Sequence, residues 1–158
     1  METYLKPEDV ELMEKQATCL RDRLLIRLLF RLGCRISEAL NLKVGDVDLS
    51  KGLVTIAHLK SRLSLFCPDC KARLGRAHYF CHKCGKKVDE AIRGEMEHRR
   101  LRTLPIDADT LEILGDYVQR GGSVFRKGNR LIFGINRHRA WQIVRHCAEK
   151  AGLPPLLN

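Results

Sequence analysis

This sequence of 158 residues has no long apolar run, no secretory signal and fewer acidic than basic residues. Without an 18-residue apolar run, a membrane-spanning helix is excluded. The first twelve residues, METYLKPEDVEL, lack the apolar centre of a signal peptide, so nothing indicates export. Its 29 Lys+Arg against 19 Asp+Glu leave a net charge of +10. A balance this basic favours a polyanionic partner, most often nucleic acid.

The sequence also lacks the cysteine arrangement of a disulfide-bonded secreted protein. It has seven cysteines, an odd number, and four of them form two Cys-x-x-Cys pairs: Cys67, Cys70, Cys81 and Cys84. Such pairs are typical of a metal site in a reducing, cytoplasmic compartment. The other three cysteines fall in helical patterns and are expected to be small buried apolar residues. They are Cys19, Cys34 and Cys147.

The two cysteine pairs predict one structural zinc ion per chain. A two-residue spacing lets both thiolates of a pair face one ion at about 2.3 Å, and four thiolates close the tetrahedron. The backbone must turn sharply after each pair, and Gly85 suits such a turn. His78 and His82 are alternative ligands, although four cysteines already complete the site. Because the surrounding segment has few large apolar residues, metal is expected to supply much of its folding energy.

The remaining pattern predicts a mixed architecture in which helices dominate, with no internal repeat or low-complexity tract. Caps, glycines and apolar periodicity define the elements. Val44–Leu49 is expected to be a loop. The predicted helices begin at Pro7 and span Leu20–Leu32, Ser37–Leu42, Asp107–Gln119 and Arg137–Ala151, and the predicted strands are Leu53–Ala57 and Leu101–Ile106.

The block Gly33-Cys34-Arg35-Ile36-Ser37-Glu38-Ala39-Leu40 resembles the start of the catalytic domain of tyrosine recombinases, the phage integrase family. That family shows a buried helix, a glycine, Arg-x-Ser-Glu-x-Leu and then a short acidic loop. Further matches follow in the family's order across nearly the whole chain apart from residues 61–98. They are Asp46-Val47-Asp48, Gly52–Ile56, Lys60, Arg102–Ile106, Ala140–Val144 and Glu149–Leu153.

The resemblance implies an α+β fold: a mostly helical catalytic domain with a β-hairpin or three-stranded antiparallel sheet, interrupted by an inserted zinc ribbon at 61–98. It makes Arg35 the first arginine that clamps the scissile phosphate, with Glu38 in support. An arginine just past a buried helix is well placed to offer a phosphate a bidentate fork. The resemblance also makes Lys60 the general acid toward the leaving 5′ oxygen, with Arg62 and Arg99 as neighbouring DNA-binding candidates.

The family's later active-site residues, a His-x-x-Arg pair and a nucleophilic tyrosine, have no match here, so we expect the catalytic domain to be C-terminally incomplete. Tyr4, Tyr79 and Tyr117 all precede the nucleophile's place. Covalent cleavage needs that tyrosine, and this chain alone is expected to bind DNA without cutting it. The expected partners are double-stranded DNA and further copies of the chain on that DNA, with no membrane. DNA-facing arginines are expected on the last helix: Arg137, Arg139 and Arg145, preceded by Lys127 and Arg130.

Three functions therefore remain open at the level of sequence. The first is a DNA strand-exchange enzyme that integrates or recombines DNA site-specifically. The second is a non-enzymatic DNA-binding or regulatory protein on the same scaffold. The third is a zinc-ribbon adaptor that contacts protein, because a ribbon can bind DNA, bind protein or simply stiffen a hairpin.

Overall fold

The computed structural model describes residues 4–58, 65–75, 78–88 and 101–154, which fall into two units. Met1–Ile56 and Thr103–Asn158 form the first, called here the helical unit, and Ala57–Arg102 form the second, called the cysteine unit. Within the described ranges no helix combines the length and the apolar character needed to cross a bilayer.

Five α-helices lie in the described part of the helical unit, each close to its predicted place. Two of the predicted N-caps are confirmed: Asp107 accepts a hydrogen bond from the Thr110 amide at 3.0 Å, and Asn136 accepts one from the Arg139 amide at 2.8 Å. Such caps satisfy amides that the first helical turn leaves free. The helices are α1 (Pro7–Gln16), α2 (Leu20–Leu32), α3 (Ile36–Leu40), α4 (Ala108–Gln119) and α5 (Arg137–Lys150).

A three-stranded sheet accompanies the helices, as the fold prediction allowed. Its strands are β1 (Val47–Asp48), β2 (Leu53–Ala57) and β5 (Leu101–Pro105), in the order β1-β2-β5. β1 and β2 are antiparallel, with Val47 opposite Val54. β2 and β5 are joined by a 2.8 Å bond from the Ile106 amide to the Gly52 carbonyl and by a 3.2 Å contact between the Thr55 and Thr103 hydroxyls.

Three local expectations were wrong. The expected loop at Val44–Leu49 contains a 3₁₀ helix (Val44–Asp46) and strand β1. The predicted helix Ser37–Leu42 is Ile36–Leu40, an offset typical of helix ends. Cys19, expected to be buried, is exposed because it occupies the N-cap of α2 rather than its apolar face. Cys147 is buried as expected, and Cys34 is partly buried.

Helix α2 supplies the centre of the main core. Leu24, Leu25 and Leu28 are fully buried and pack with Val54 of β2 and with Phe133, which precedes α5. This burial of large side chains, each worth about 1.5–3 kcal/mol, fixes the end of α2 and therefore the chain that follows it. The α2–α3 junction thus rests on a rigid base.

A smaller core joins α1 to α2 and α5. Met13 of α1 packs with Ile26 of α2 and Ile143 of α5. Beside it, the nearly buried Glu14 carboxylate accepts a 2.7 Å hydrogen bond from the guanidinium of Arg27. The cation therefore neutralises a charge that would otherwise be costly to bury.

The cysteine unit is built from short antiparallel pairs. Strands β3 (Leu65–Phe66) and β4 (Arg73–Leu74) form one, and a bridge between Phe80 and Lys87 forms the other. In the helical unit, β6 (Val124–Arg126) and β7 (Asn129–Leu131) form an unpredicted hairpin.

Candidate functional site

The four predicted metal ligands converge in the cysteine unit. The sulfur atoms of Cys67, Cys70, Cys81 and Cys84 all lie within 4.8 Å of one another. The Cys67–Cys84 and Cys70–Cys81 sulfur pairs are each 3.4 Å apart. Four sulfurs at such separations can surround a single metal ion, and thiolates favour zinc among the common biological cations.

Each cysteine pair sits at the tip of a similarly bonded turn. The carbonyl of Cys67 accepts a hydrogen bond from the Lys71 amide at 3.0 Å, and the carbonyl of Cys81 accepts one from the Gly85 amide at 2.8 Å. The residue after each second cysteine adopts a left-handed conformation, with φ of 59° at Lys71 and 73° at Gly85. A sharp turn was predicted after each pair, and both turns are present, although only Gly85 is of the residue type that favours this conformation.

The likeness between the two turns extends into the strands that flank them. In both, the amide of the first cysteine donates to a carbonyl five residues later, at 2.8 and 2.7 Å. Seven residues after each first cysteine stands a buried aliphatic side chain, Leu74 or Val88. Together with Cys67 and Cys81, these side chains form the buried cluster of the unit. A metal ion at the four sulfurs could add folding free energy to a cluster this small.

Backbone amides favour the thiolate form of part of the cluster. The amides of Cys84 and Lys83 approach the Cys81 sulfur and, against the effect of burial, lower the pKa of Cys81 to about 6. The pKa of Cys67 is also lowered, chiefly by the Cys70 amide. For Cys84, the Lys86 amide acts in the same direction, but thiol–thiol hydrogen bonding with Cys67 and burial outweigh it and raise the pKa to about 12. Without a cation, therefore, the cluster does not hold four thiolates at neutral pH.

Arg35 stands where α2 gives way to α3 in the helical unit. Gly33 ends α2 with a left-handed φ of 55°, and Arg35 is the N-cap of α3. The Arg35 amide donates to one Glu38 carboxylate oxygen at 3.0 Å, and the guanidinium donates to the other at 3.4 Å. The Glu38 side chain is 2% exposed, whereas that of Arg35 is 57% exposed.

The buried Glu38 carboxylate thus holds the Arg35 guanidinium, while much of the Arg35 side chain stays exposed to solvent. A guanidinium carries five N–H donors, so one bond to Glu38 leaves most of the fork for an anion. Planar bidentate pairing with phosphate is the geometry in which arginine excels. The Arg35 guanidinium could therefore pair with an anion that approaches from solvent.

The three arginines predicted on the last helix are exposed on α5, which packs against α3. Helical geometry places Arg137 and Arg145 about 80° apart around the axis, with Arg139 about 120° beyond Arg145. Arg145 pairs with Glu149 at 2.7 Å and lies 5.2 Å from the centre of the Trp141 ring. The three cations thus spread over about 200° of the circumference of α5 and do not form a single row.

Lys60, Arg62 and Arg99 lie outside the described residues, and their proposed roles stay predictions.

Of the tyrosines, Tyr4 is exposed ahead of α1, while Tyr117 is buried in α4 and donates a 2.7 Å hydrogen bond to the Gly122 carbonyl. Glycine 122 lies so close to the Tyr117 ring that a Cβ there would sit 2.3 Å from it. Tyr117 is thus a packing residue.

Several known recombinases are similar to this chain. Tyrosine recombinase XerD of Bifidobacterium longum is 28% identical over 139 residues, which cover 88% of this chain and 37% of that protein. A crystal structure of XerA recombinase matches the whole chain with a TM-score of 0.63 at 18% identity, over 46% of its own length. The XerH recombinase, crystallised with its difH substrate in a pre-cleavage complex, matches with a TM-score of 0.55 at 20% identity, over 39% of its length.

The chain therefore spans less than half the length of each of these relatives, and the two crystal structures establish the likeness of the fold. The family model described as "Phage integrase family" matches residues 4–156, nearly the entire sequence. Because this match covers far more than half of the sequence, the chain belongs to the phage integrase family.

Proposed function

We propose that this chain is a DNA-binding part of the catalytic domain of a site-specific tyrosine recombinase, acting in DNA recombination and integration. The observation that carries the proposal is the exposed Arg35 guanidinium held by the buried Glu38 carboxylate. In the proposed reaction, a tyrosine outside these 158 residues attacks a DNA phosphorus, forms a 3′-phosphotyrosyl bond and releases a 5′ hydroxyl. After strand exchange, a 5′ hydroxyl attacks the phosphotyrosyl bond on another strand. This step releases the tyrosine and rejoins the DNA.

Arg35 serves this reaction by electrostatic stabilisation. Negative charge builds on the non-bridging phosphate oxygens as the phosphorus becomes pentavalent, and a guanidinium already in position stabilises it without reorganisation. Glu38 is a positioning residue, since it touches Arg35 and not the phosphate. Lys60 is proposed as the general acid toward the 5′ oxygen, with Arg62, Arg99, Arg137, Arg139 and Arg145 contacting the DNA backbone.

The cysteine unit is proposed to be a zinc ribbon inserted at residues 61–98, with one structural Zn²⁺ on Cys67, Cys70, Cys81 and Cys84. Four thiolate ligands leave no coordination position for water, so this ion would take no part in strand cleavage. The proposal is supported by the convergence of the four sulfurs and by the two left-handed turns that carry them. Elemental analysis that finds no zinc, or two zinc ions, would contradict it.

Binding to duplex DNA tests the role of Arg35 in the chain as it stands. Arg35→Ala is expected to weaken binding about tenfold and to reduce the log–log slope of affinity against salt by about one, because one phosphate contact is lost. Fluorescence anisotropy across a salt series measures both quantities. Arg120→Ala, which removes an exposed arginine paired with Asp116 on α4, is the charge-matched control. An equal effect in both variants would argue against a specific phosphate site.

The nucleotide sequence of the gene beyond the codon for Asn158 tests the enzymatic part of the proposal. A His-x-x-Arg pair and a tyrosine encoded downstream of Asn158 would support it, whereas a stop codon immediately after Asn158 would favour the non-enzymatic protein. In a longer product, a nicked duplex substrate traps the phosphotyrosyl intermediate. Arg35→Ala is expected to abolish that covalent adduct without unfolding the protein, and an undiminished adduct yield would remove Arg35 from the site.

A further inference from the structure

Each cysteine turn in the cysteine unit presents an exposed phenyl ring opposite a cation. Phe66 precedes Cys67 and is paired across the strands with Arg73, and Phe80 precedes Cys81 and is paired with Lys87. The two phenyl rings are 46% and 60% exposed. These four side chains, Phe66, Arg73, Phe80 and Lys87, are called here the aromatic–cation surface.

The folding of the unit does not account for these rings. Its buried cluster consists of Cys67, Leu74, Cys81 and Val88, and neither phenylalanine belongs to it. A unit so poor in apolar side chains would gain stability by burying a phenyl ring, yet it leaves two in solvent. Exposed aromatic side chains that sit together with cations are typical of binding surfaces.

The charge of the unit points to the chemistry of the ligand. Among its described residues the cationic side chains outnumber the acidic ones, and the one acid, Asp69, is neutralised by Lys86 at 2.8 Å. Proteins that bind single-stranded nucleic acid combine cations for the phosphates with aromatic rings on which unpaired bases stack. Bases inside a duplex are already stacked on one another and cannot reach a ring in this way. The described cations are Lys71, Arg73, Lys83, Lys86, Lys87 and Arg102.

We propose that the aromatic–cation surface binds single-stranded DNA, with Phe66 and Phe80 stacking on bases and Arg73 and Lys87 contacting the adjacent phosphates. The choice of DNA over RNA rests on the proposed function. The assignment of a surface that binds single-stranded nucleic acid does not depend on it. Metal at the four cysteines would hold the two turns, and with them the two rings, at a fixed separation. The unit would thereby engage DNA that has lost its pairing.

Binding of a labelled 20-nucleotide oligothymidylate to the zinc-loaded chain tests this inference. The double variant Phe66→Ser/Phe80→Ser is expected to bind it at least tenfold more weakly, since each stacked base contributes on the order of a tenfold change or more. Binding of a 20-base-pair duplex should change less than threefold. Tyr4→Ser, which removes an exposed ring outside the unit, should change neither. Arg35→Ala should weaken the duplex and spare the oligothymidylate.

The outcomes separate the two proposals. Loss of oligothymidylate binding alone supports the aromatic–cation surface, whatever Arg35→Ala does to the duplex. Equal loss on both probes, no loss on either, or tighter binding of oligouridylate than of oligothymidylate overturns it. Zinc content of each variant shows whether the unit is intact. Should the double variant lose zinc, photo-crosslinking of 4-thiothymidine to the unaltered chain decides the matter: adducts on Phe66 or Phe80 support the inference, and adducts confined to residues outside 65–88 overturn it.

Discussion

At the scale of single residues, the candidate phosphate site depends on one buried carboxylate. Glu38 uses one oxygen for the Arg35 backbone amide and the other for its guanidinium. These two hydrogen bonds could be predicted in part from the sequence, because the Arg-x-Ser-Glu spacing places the glutamate one turn along a helix. The solvent exposure of Arg35 could not be predicted, since it depends on how α3 packs against its neighbours.

Glu38→Ala is expected to lower the free energy of unfolding by about 1–3 kcal/mol, because the partly buried Arg35 backbone amide loses its acceptor. It should also weaken duplex DNA binding, because the guanidinium is no longer held. Glu38→Gln keeps an acceptor oxygen and should lose less stability. Urea denaturation measures the first effect and anisotropy the second. Glu149→Ala removes an exposed carboxylate from an ion pair on α5 and should cost under about 0.5 kcal/mol. If Glu38→Ala costs no more than this control, the positioning role fails.

At the scale of secondary-structure elements, local chemistry explains what was predicted. Helix starts were found because caps and prolines act within a few residues, as at Asp107 and Asn136. The hairpin β6–β7 was missed because each strand has three residues, too few to show alternation, and its turn uses Lys127 and Gly128. Both adopt positive φ, at 47° and 77°. Lysine at such a position carries no turn signature in the sequence.

Asp107→Ala is expected to lower the free energy of unfolding by about 1 kcal/mol, the usual cost of losing an N-cap. Burial disfavours the Asp107 carboxylate, but the Thr110 hydroxyl and amide and the nearby Arg31 outweigh it and lower its pKa. The part of the stabilisation that depends on the ionised carboxylate is therefore complete above the unfolded pKa and disappears as the pH falls below about 4. Asp107→Asn keeps the capping oxygen without the charge, so its free energy of unfolding relative to Asp107→Ala should not change over this pH range. Urea titrations at several pH values measure these free energies. The prediction would be contradicted if the difference between the wild type and Asp107→Ala did not decrease in acid.

At the scale of the whole molecule, the two units differ in the size of their apolar cores. The helical unit has a core around α2, while the described part of the cysteine unit buries two cysteines and two aliphatic side chains. The sequence predicted this difference because its Cys-x-x-Cys pairs lie in a segment poor in large apolar residues. It did not show the shared backbone pattern of the two turns, which depends on hydrogen bonds between residues four and five apart.

Chelation with EDTA under reducing conditions is expected to release one zinc ion per chain and to unfold the cysteine unit before the helical unit. Hydrogen exchange followed by mass spectrometry should show amides near Cys67 and Cys81 losing protection while those of α2 retain it. EDTA saturated with zinc beforehand is the control. Simultaneous loss of protection in both units would show that the metal stabilises the entire chain and not one unit.

The pairing of β2 with β5 has a consequence for how this chain tolerates change. The polypeptide leaves the sheet after β2 and rejoins it at the adjacent strand, so the two attachment points are neighbours. Closing a longer loop between fixed neighbours costs only slightly more entropy than closing a short one. The segment between β2 and β5 can therefore change in length at little entropic cost to the pairing of these two strands.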